Sequence, residues 1–134
     1  MASGWSTAAV QARLQATINL MEAGATGPKV LIYTAARPAE GAAITTQTLL
    51  ATITFATSIF DSWGTDEAIL IDPANVVCVG AGSANWARLV DSDNNFICDM
   101  DCGLVGSGAE IEFDDLTVYV GGTLQTASAK LREV

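Results

Sequence analysis

After "GATGP", residues 24–28, the hydrophobic period of this chain changes from that of a helix to that of a strand, and it does not change back. Upstream, Val10, Leu14, Ile18 and Met21 recur at spacings of 4, 4 and 3 and form one stripe, which predicts a helix over 6–23. Ser6 or Thr7 can cap its first turn and Gly24 can end it. Gln11, Arg13, Gln15, Asn19 and Glu22 occupy the opposite face, as a solvated face requires. Ala8, Ala9, Ala12 and Ala16 favour the helix and allow close approach to a neighbouring surface.

Downstream the pattern is one of short alternating segments. "KVLIYTA" (29–35) is a strand rich in β-branched and aromatic residues, and "ITTQTLLATITFA" (44–56) predicts a second. "RPAEGAA" between them is a loop, broken by Pro38 and Gly41. "TSIFDSWGTDE" also reads as a loop, carrying Ile59, Phe60 and Trp63. "AILID" and "NVVCVG" flank Pro73 as two short strands or one bent one. "ANWARLVD" and "NFICDMD" flank "SDN" as a hairpin, "AEIEFDDLTVYVGG" holds two short strands, and "TLQTASAKLREV" closes the chain. About seven or eight strands broken by Gly, Pro and Asp predict a mainly β fold. The expected architecture is an antiparallel β-sandwich, immunoglobulin-like or jelly-roll-like. The helical arm, 1–27, would cover an open edge or end of the 28–134 sandwich, or dock on a neighbouring subunit.

Composition narrows the function. The 134 residues suffice for one domain, and half are apolar, which excludes disorder. Charged residues make up 16% of the chain, below the usual quarter or so. So few charges leave neutral and apolar surface exposed, and such surface is normally covered by another chain. Fifteen acids against six bases give a net charge of −9, which disfavours nucleic acid and anionic membranes as partners. The absence of histidine removes Ser-His-Asp and Cys-His mechanisms. The first residues lack a basic segment followed by a continuous apolar run, so no signal peptide is expected. Cys78, Cys98 and Cys102 form no framework and are expected as reduced thiols that pack as small hydrophobes.

The stretch "NWARLVDSDNNFICDMDCG", 85–103, concentrates the candidate chemistry. Asp91-x-Asp93-x-Asn95 opens like a calcium loop, but Phe96 stands where a glycine is needed and Cys102 where a bidentate glutamate is needed. Asp and Asn favour turns by bonding to nearby amides, so a hairpin tip is expected, with no metal and no cofactor. Alternation puts Phe96, Cys98 and Met100 on one face and Ile97, Asp99 and Asp101 on the other, within reach of Arg88. Cys98-x-x-x-Cys102 has neither redox nor zinc spacing, and a Cys78–Cys98 bridge lacks support. Glu110 and Glu112, two apart on a strand, would project from one face about 7 Å apart, within the inverting-glycosidase range. Solvated alternation explains that pair without a cleft. Gly80-x-Gly82 lacks the third glycine and the helix of a dinucleotide loop, and reads as a turn.

The aromatic residues Trp5, Trp63, Trp86, Tyr33 and Tyr119 could stack on sugars or fill an interface. Trp86, in mid-strand, reads as core. Trp5 and Trp63 read as anchors for a partner chain, together with Phe60 and the helical stripe of Val10, Leu14, Ile18 and Met21.

From Pro28 onward the chain resembles small structural proteins of tailed-bacteriophage and prophage virions. "KVLIYTAARP" is similar to their first strand and turn, and "TLLATITFA" to the second strand. "ANWARLVDSDNNFICDMDCGLVGSGAEIEF" is similar to their hairpin and Gly-Ser-Gly loop. The resemblance implies a non-enzymatic virion component, foremost a head decoration or cement protein, with a neck, tail or fibre part as the alternative. It also implies the major capsid protein or other virion proteins as partners, a homo-oligomer, and localisation to a virion assembled in the host cytoplasm. A carbohydrate-binding module is the competing reading. Deleting residues 1–24 is expected to impair assembly more than folding.

Overall fold

The computed structural model describes residues 5–39, 41–64 and 67–132. In chain order the elements are α1 (Thr7–Glu22), β1 (Lys29–Tyr33), β2 (Leu49–Thr54), β3 (Phe60–Gly64), β4 (Glu67–Leu70), β5 (Val76–Val77), β6 (Gly82–Ser83) and β7 (Trp86–Val90). They continue with β8 (Phe96–Leu104), β9 (Ile111–Phe113), β10 (Thr117–Val118), β11 (Thr123–Leu124) and β12 (Thr126–Arg132). The fold is mainly β, a β-sandwich built around one large, mostly antiparallel sheet with an N-terminal helix.

Eight strands run in the order β2-β1-β7-β8-β9-β12-β4-β3, while β10-β6 and β11-β5 form small ribbons. The strand β8 joins the halves of the large sheet. Its stretch from Phe96 to Asp101 pairs antiparallel with β7, and Cys102 to Leu104 pair parallel with β9. Val30, Ile32, Ile53, Ala87, Leu89 and Met100 from one half share a single hydrophobic cluster with Leu70, Ile111, Phe113, Ala129 and Leu131 from the other. One core therefore serves both halves of the sheet.

A parallel neighbour normally needs a long crossover, yet only residues 105–110 separate β8 from β9. The parallel stretch is three residues long, so the loop has to retrace only about 10 Å. Gly106 and Gly108, at φ +89° and +86°, supply the left-handed backbone for that reversal.

The helix forms where its stripe predicts. Ser6 caps it, its Oγ accepting from the Ala9 amide at 3.1 Å, and it ends at Ala23, in ordinary helical backbone, one residue before Gly24. What its stripe covers differs from one of the two expected uses. Val10, Leu14, Ile18 and Met21 are 0–4% exposed and belong to the same cluster as the sheet. The four side chains assigned to a partner interface are thus spent on the chain's own core, and the 1–27 arm and 28–134 sandwich do not have separate cores. Glu22, expected on the solvated face, accepts from the Ile59 amide at 2.8 Å and ties the helix end to the segment before β3.

Two strand boundaries also move. Residues 44–48 are not strand, so β2 begins at Leu49. Phe60 and Trp63, expected in a loop, lie in β3, where Trp63 faces Ala68 of β4.

Because the stripe is buried, Ile18→Ala is expected to cost about 2–5 kcal/mol in urea denaturation. A chain lacking residues 1–24 is expected to lose its cooperative transition altogether. An intact transition in that deletion would contradict the shared core.

Candidate interaction surface

The Asp-rich hairpin spends its polar atoms on itself. Asp91 Oδ1 accepts from the amides of Asp93 and Asn95 at 2.9 and 2.8 Å, and Oδ2 accepts from the Asn95 side chain at 3.1 Å. Those bonds hold the Asp91 carboxyl below the usual range, the Asn95 amide contributing most. Asn94 takes the left-handed position at φ +67°, and its Oδ1 accepts from Lys29 Nζ at 3.1 Å. Among the described residues, no group of three or more Cys, Asp or Glu side chains is arranged to hold a metal ion.

Behind that tip, the outward face of β1, β7 and β8 is covered by the stretches 34–39 and 41–48, which bond to Asn85, Arg88, Asp99 and Asp101. Arg88 faces Asp99 across the ladder, and its guanidinium is bidentate to that carboxylate, Nε to Oδ1 at 2.8 Å and Nη2 to Oδ2 at 3.2 Å. The Asp99 side chain is fully buried. Arg88 Nη1 also donates to the Ala42 carbonyl at 2.8 Å, and Asp99 accepts from the Gly41 amide at 3.2 Å. The ion pair therefore pins the covering segment to the sheet. Trp86 stacks on Tyr33 at 4.8 Å, buried as its mid-strand position suggests, and burial pushes the Tyr33 phenol up.

Phe96 departs from the simple alternation. The ladder shifts between Leu89 and Val90, so Val90 faces Phe96 while Leu89 faces Cys98, and Ile97 is the extra residue. The shift moves Phe96 to the Arg88 face, where the guanidinium lies 5.3 Å from its ring centre. Phe96 consequently parts from Cys98 and Met100.

A polar cleft of about 390 Å³ lies where β8 meets the 105–110 loop, lined by Asp101, Cys102, Ser107, Glu110 and Arg132 among others. Each charged group in it has a partner: Arg37 with Asp101 at 3.3 Å, and Arg132 with Glu110 at 3.5 Å. Burial pushes the Cys102 thiol up to about 12, with Asp101 and Glu110 adding to the effect, so it is protonated at neutral pH and a poor nucleophile. Cys78, Cys98 and Cys102 form no disulfide with one another. Glu112, read from sequence as solvated, is buried. It accepts from the Gly108 amide at 3.0 Å and from Ser128 Oγ–H at 2.9 Å. The Gly108 bond, then that of Ser128, holds its carboxyl below the usual range. It is the latch of the loop that lets β9 run parallel to β8.

The Gly80-x-Gly82 segment caps a sheet edge. The amides of Val79 and Gly80 both donate to the Leu50 carbonyl, and Gly82, at φ +145°, enters β6 opposite Val118.

Of the expected anchors, Phe60 and Trp63 are half-buried against the core, their rings 4.8 Å apart. Trp5 is exposed, with the Arg13 guanidinium 4.2 Å from its ring centre. The structure does not bring Trp5 together with Phe60 and Trp63 in any described contact. It brings together instead a set that sequence reasoning passed over, apart from Tyr119. Val77, Val79, Tyr119 and Val120 are 60–69% exposed. They sit on adjacent stretches, because Cys78 exchanges backbone bonds with Gly121 and Gly122 while Val77 faces Thr123. The available signal was the alternation Val77-Cys78-Val79, with the thiol buried and both valines outward. Beside them lies a groove of about 360 Å³ lined by Asp114, Asp115, Tyr119, Thr123 and Gln125 among others.

No known family model matches the chain, and no curated protein or solved structure shows significant similarity to it. Among the described residues no helix is long and apolar enough to cross a membrane.

Removing one partner of the buried pair leaves an uncompensated charge, so Arg88→Met is expected to cost about 3–5 kcal/mol in urea denaturation. Arg88→Met with Asp99→Leu is expected to recover a large part of that loss. A double variant as unstable as the single would show that the pair's hydrogen bonds to the 34–48 segment dominate. For Glu112, a depressed folded pKa contributes stability above the unfolded value of about 4.3, lost as pH falls through the folded value. The stability gap between wild type and Glu112→Gln is therefore expected to be full at neutral pH and to shrink on acidification below about pH 4. A gap independent of pH would remove the carboxylate from the latch.

Proposed function

We propose that the chain is a non-enzymatic structural subunit that works by packing against other proteins. The observation that carries this reading is the cluster of Val77, Val79, Tyr119 and Val120 standing in solvent. A chain with only 16% charged residues and adjacent exposed apolar side chains has the surface of a component whose neighbours cover it. The two acidic latches support it too, since Asp99 and Glu112 are engaged in holding loops. With the sequence resemblance described above, the specific proposal is a tailed-phage virion protein, first a head decoration or cement protein. A neck, tail or fibre-associated part is the alternative. Its partners would be the major capsid protein or other virion proteins, and further copies of itself.

A carbohydrate-binding module is the second reading, favoured by the exposed Tyr119 ring beside Asp114 and Asp115. Light scattering on the purified chain, alone and with purified virion proteins, together with tryptophan fluorescence against a sugar panel, separates the two. A defined oligomer or a stoichiometric complex, with fluorescence unmoved by sugars, is the expected result. A solitary chain whose fluorescence responds to a sugar, and whose response is lost in Trp63→Ala or Tyr119→Ala, would sink the structural reading.

A further inference from the structure

From the groove beside Tyr119 we infer a docking site for a basic, apolar-rich polypeptide segment of a partner protein. The inference rests on the assembly reading above and names the partner's chemistry. Asp114, Asp115 and Tyr119 are exposed in the lining of the groove, and two further exposed apolar side chains adjoin it: Val120 follows Tyr119 in the chain, and Val77 faces Thr123 of the lining.

The charge distribution selects the occupant. The sequence has no Lys or Arg between Arg37 and Arg88, and none between Arg88 and Lys130. Every stretch that builds this surface lies in those two gaps. The chain's six cations are placed elsewhere. Arg37, Arg88, Lys130 and Arg132 are in ion pairs with Asp101, Asp99, Glu67 and Glu110. Lys29 bonds to Asn94, and Arg13 lies over Trp5. Among the described residues, no Lys or Arg side chain comes within ion-pairing distance of Asp114 or Asp115. Asp115 Oδ1 accepts from the Thr117 amide at 3.0 Å, which fixes the turn and leaves the carboxylate without a cation. An apolar surface edged by uncompensated carboxylates complements a segment that alternates cationic and apolar residues. A second copy of this chain would bring the same carboxylates and a further net −9, so charge opposes it as the occupant.

The test uses the full chain and a short fluorescein-labelled peptide of alternating lysine and leucine, read by fluorescence anisotropy. Asp114→Asn with Asp115→Asn, and separately Tyr119→Ser with Val120→Ser, are each expected to weaken binding by roughly tenfold or more. Asp61→Asn with Asp93→Asn removes the same net charge at a distance and is expected to change it by less than about twofold. Asparagine at 115 keeps the acceptor for Thr117, and Tyr119 and Val120 are exposed, so both double variants are expected to melt like wild type. Equal losses from the two carboxylate pairs would reduce the effect to net charge and overturn the site. So would absence of binding, or equal affinity for an alternating glutamate–leucine peptide. Assembly that persists in both groove variants would overturn the site while leaving the structural reading standing. A chain that binds the peptide at this groove yet joins no oligomer or virion protein would do the reverse.

Discussion

The register between β7 and β8 hangs on one buried ion pair, and the rest of the sheet is built outward from it. A one-residue slip of a strand turns every side chain to the opposite face. Here a slip would also part Arg88 from Asp99 and leave a carboxylate with no accessible surface unpaired, at a cost of several kcal/mol. Strand β8 must hold its place because it alone serves both halves, giving its first stretch to β7 and its last to β9. Beyond β9 come β12, β4 and β3, each aligned on the strand before it. The same guanidinium holds the 34–48 segment through Ala42, so the cover and the register share one anchor.

The sequence made the local elements legible where a single period governs them. The stripe of Val10, Leu14, Ile18 and Met21 defined the helix to within a residue at each end, and turn chemistry at Asp91–Asn95 defined the hairpin. The partnership of Arg88 with an aspartate across that hairpin could be read from pairing distance alone. What a period does not carry is the identity of the opposing surface. The helical stripe is equally apolar whether it meets its own sheet or another chain, and only its packing beside β4 on the shared core decides the matter. Phe96 was misplaced because one extra residue at Ile97 reverses the alternation, and nothing in "NNFICD" marks that bulge. Strand β3 was hidden because Asp61, Ser62 and Gly64 look like loop residues, while its pairing with β4 supplies the hydrogen bonds that propensity does not. Glu112 shows the same blindness in electrostatic form. Alternation placed it outward, but the retracing 105–110 loop folds over that side and makes it an acceptor for Gly108 and Ser128.

Charge is distributed unevenly across the fold. The cations cluster where carboxylates must be neutralised or loops held: Arg88 at Asp99, Arg37 at Asp101, and Lys130 with Arg132 around Glu67 and Glu110. Apart from the buried Arg88–Asp99 pair, these pairs lie at or near the surface, where such pairs contribute little each, about 0–1 kcal/mol, so their consistent placement matters more for arrangement than for stability. The consequence is a molecule whose excess negative charge is concentrated away from these pairs, and the stretch from Leu89 to Ala129 contains carboxylates but no cation of its own.

The edges of the sheet bear on how the exposed apolar residues should be understood. An open sheet ends in strands with unpaired backbone groups, and such edges drive indiscriminate association unless they are blunted. At β2 the Leu50 carbonyl is occupied by the amides of Val79 and Gly80, so the connection that carries the exposed valines also closes part of an edge. At β3 the strand is five residues long and Asp61 stands exposed on it, which opposes pairing with another strand. Backbone-driven aggregation is therefore resisted at both ends of the sheet, while Val77, Val79, Tyr119 and Val120 are left uncovered. Accidental stickiness would not spare the edges and concentrate on side chains. On the docking proposal, a surface whose contacts depend on side chains, set beside two carboxylates, would discriminate among partners by shape and charge in a way that a bare edge does not.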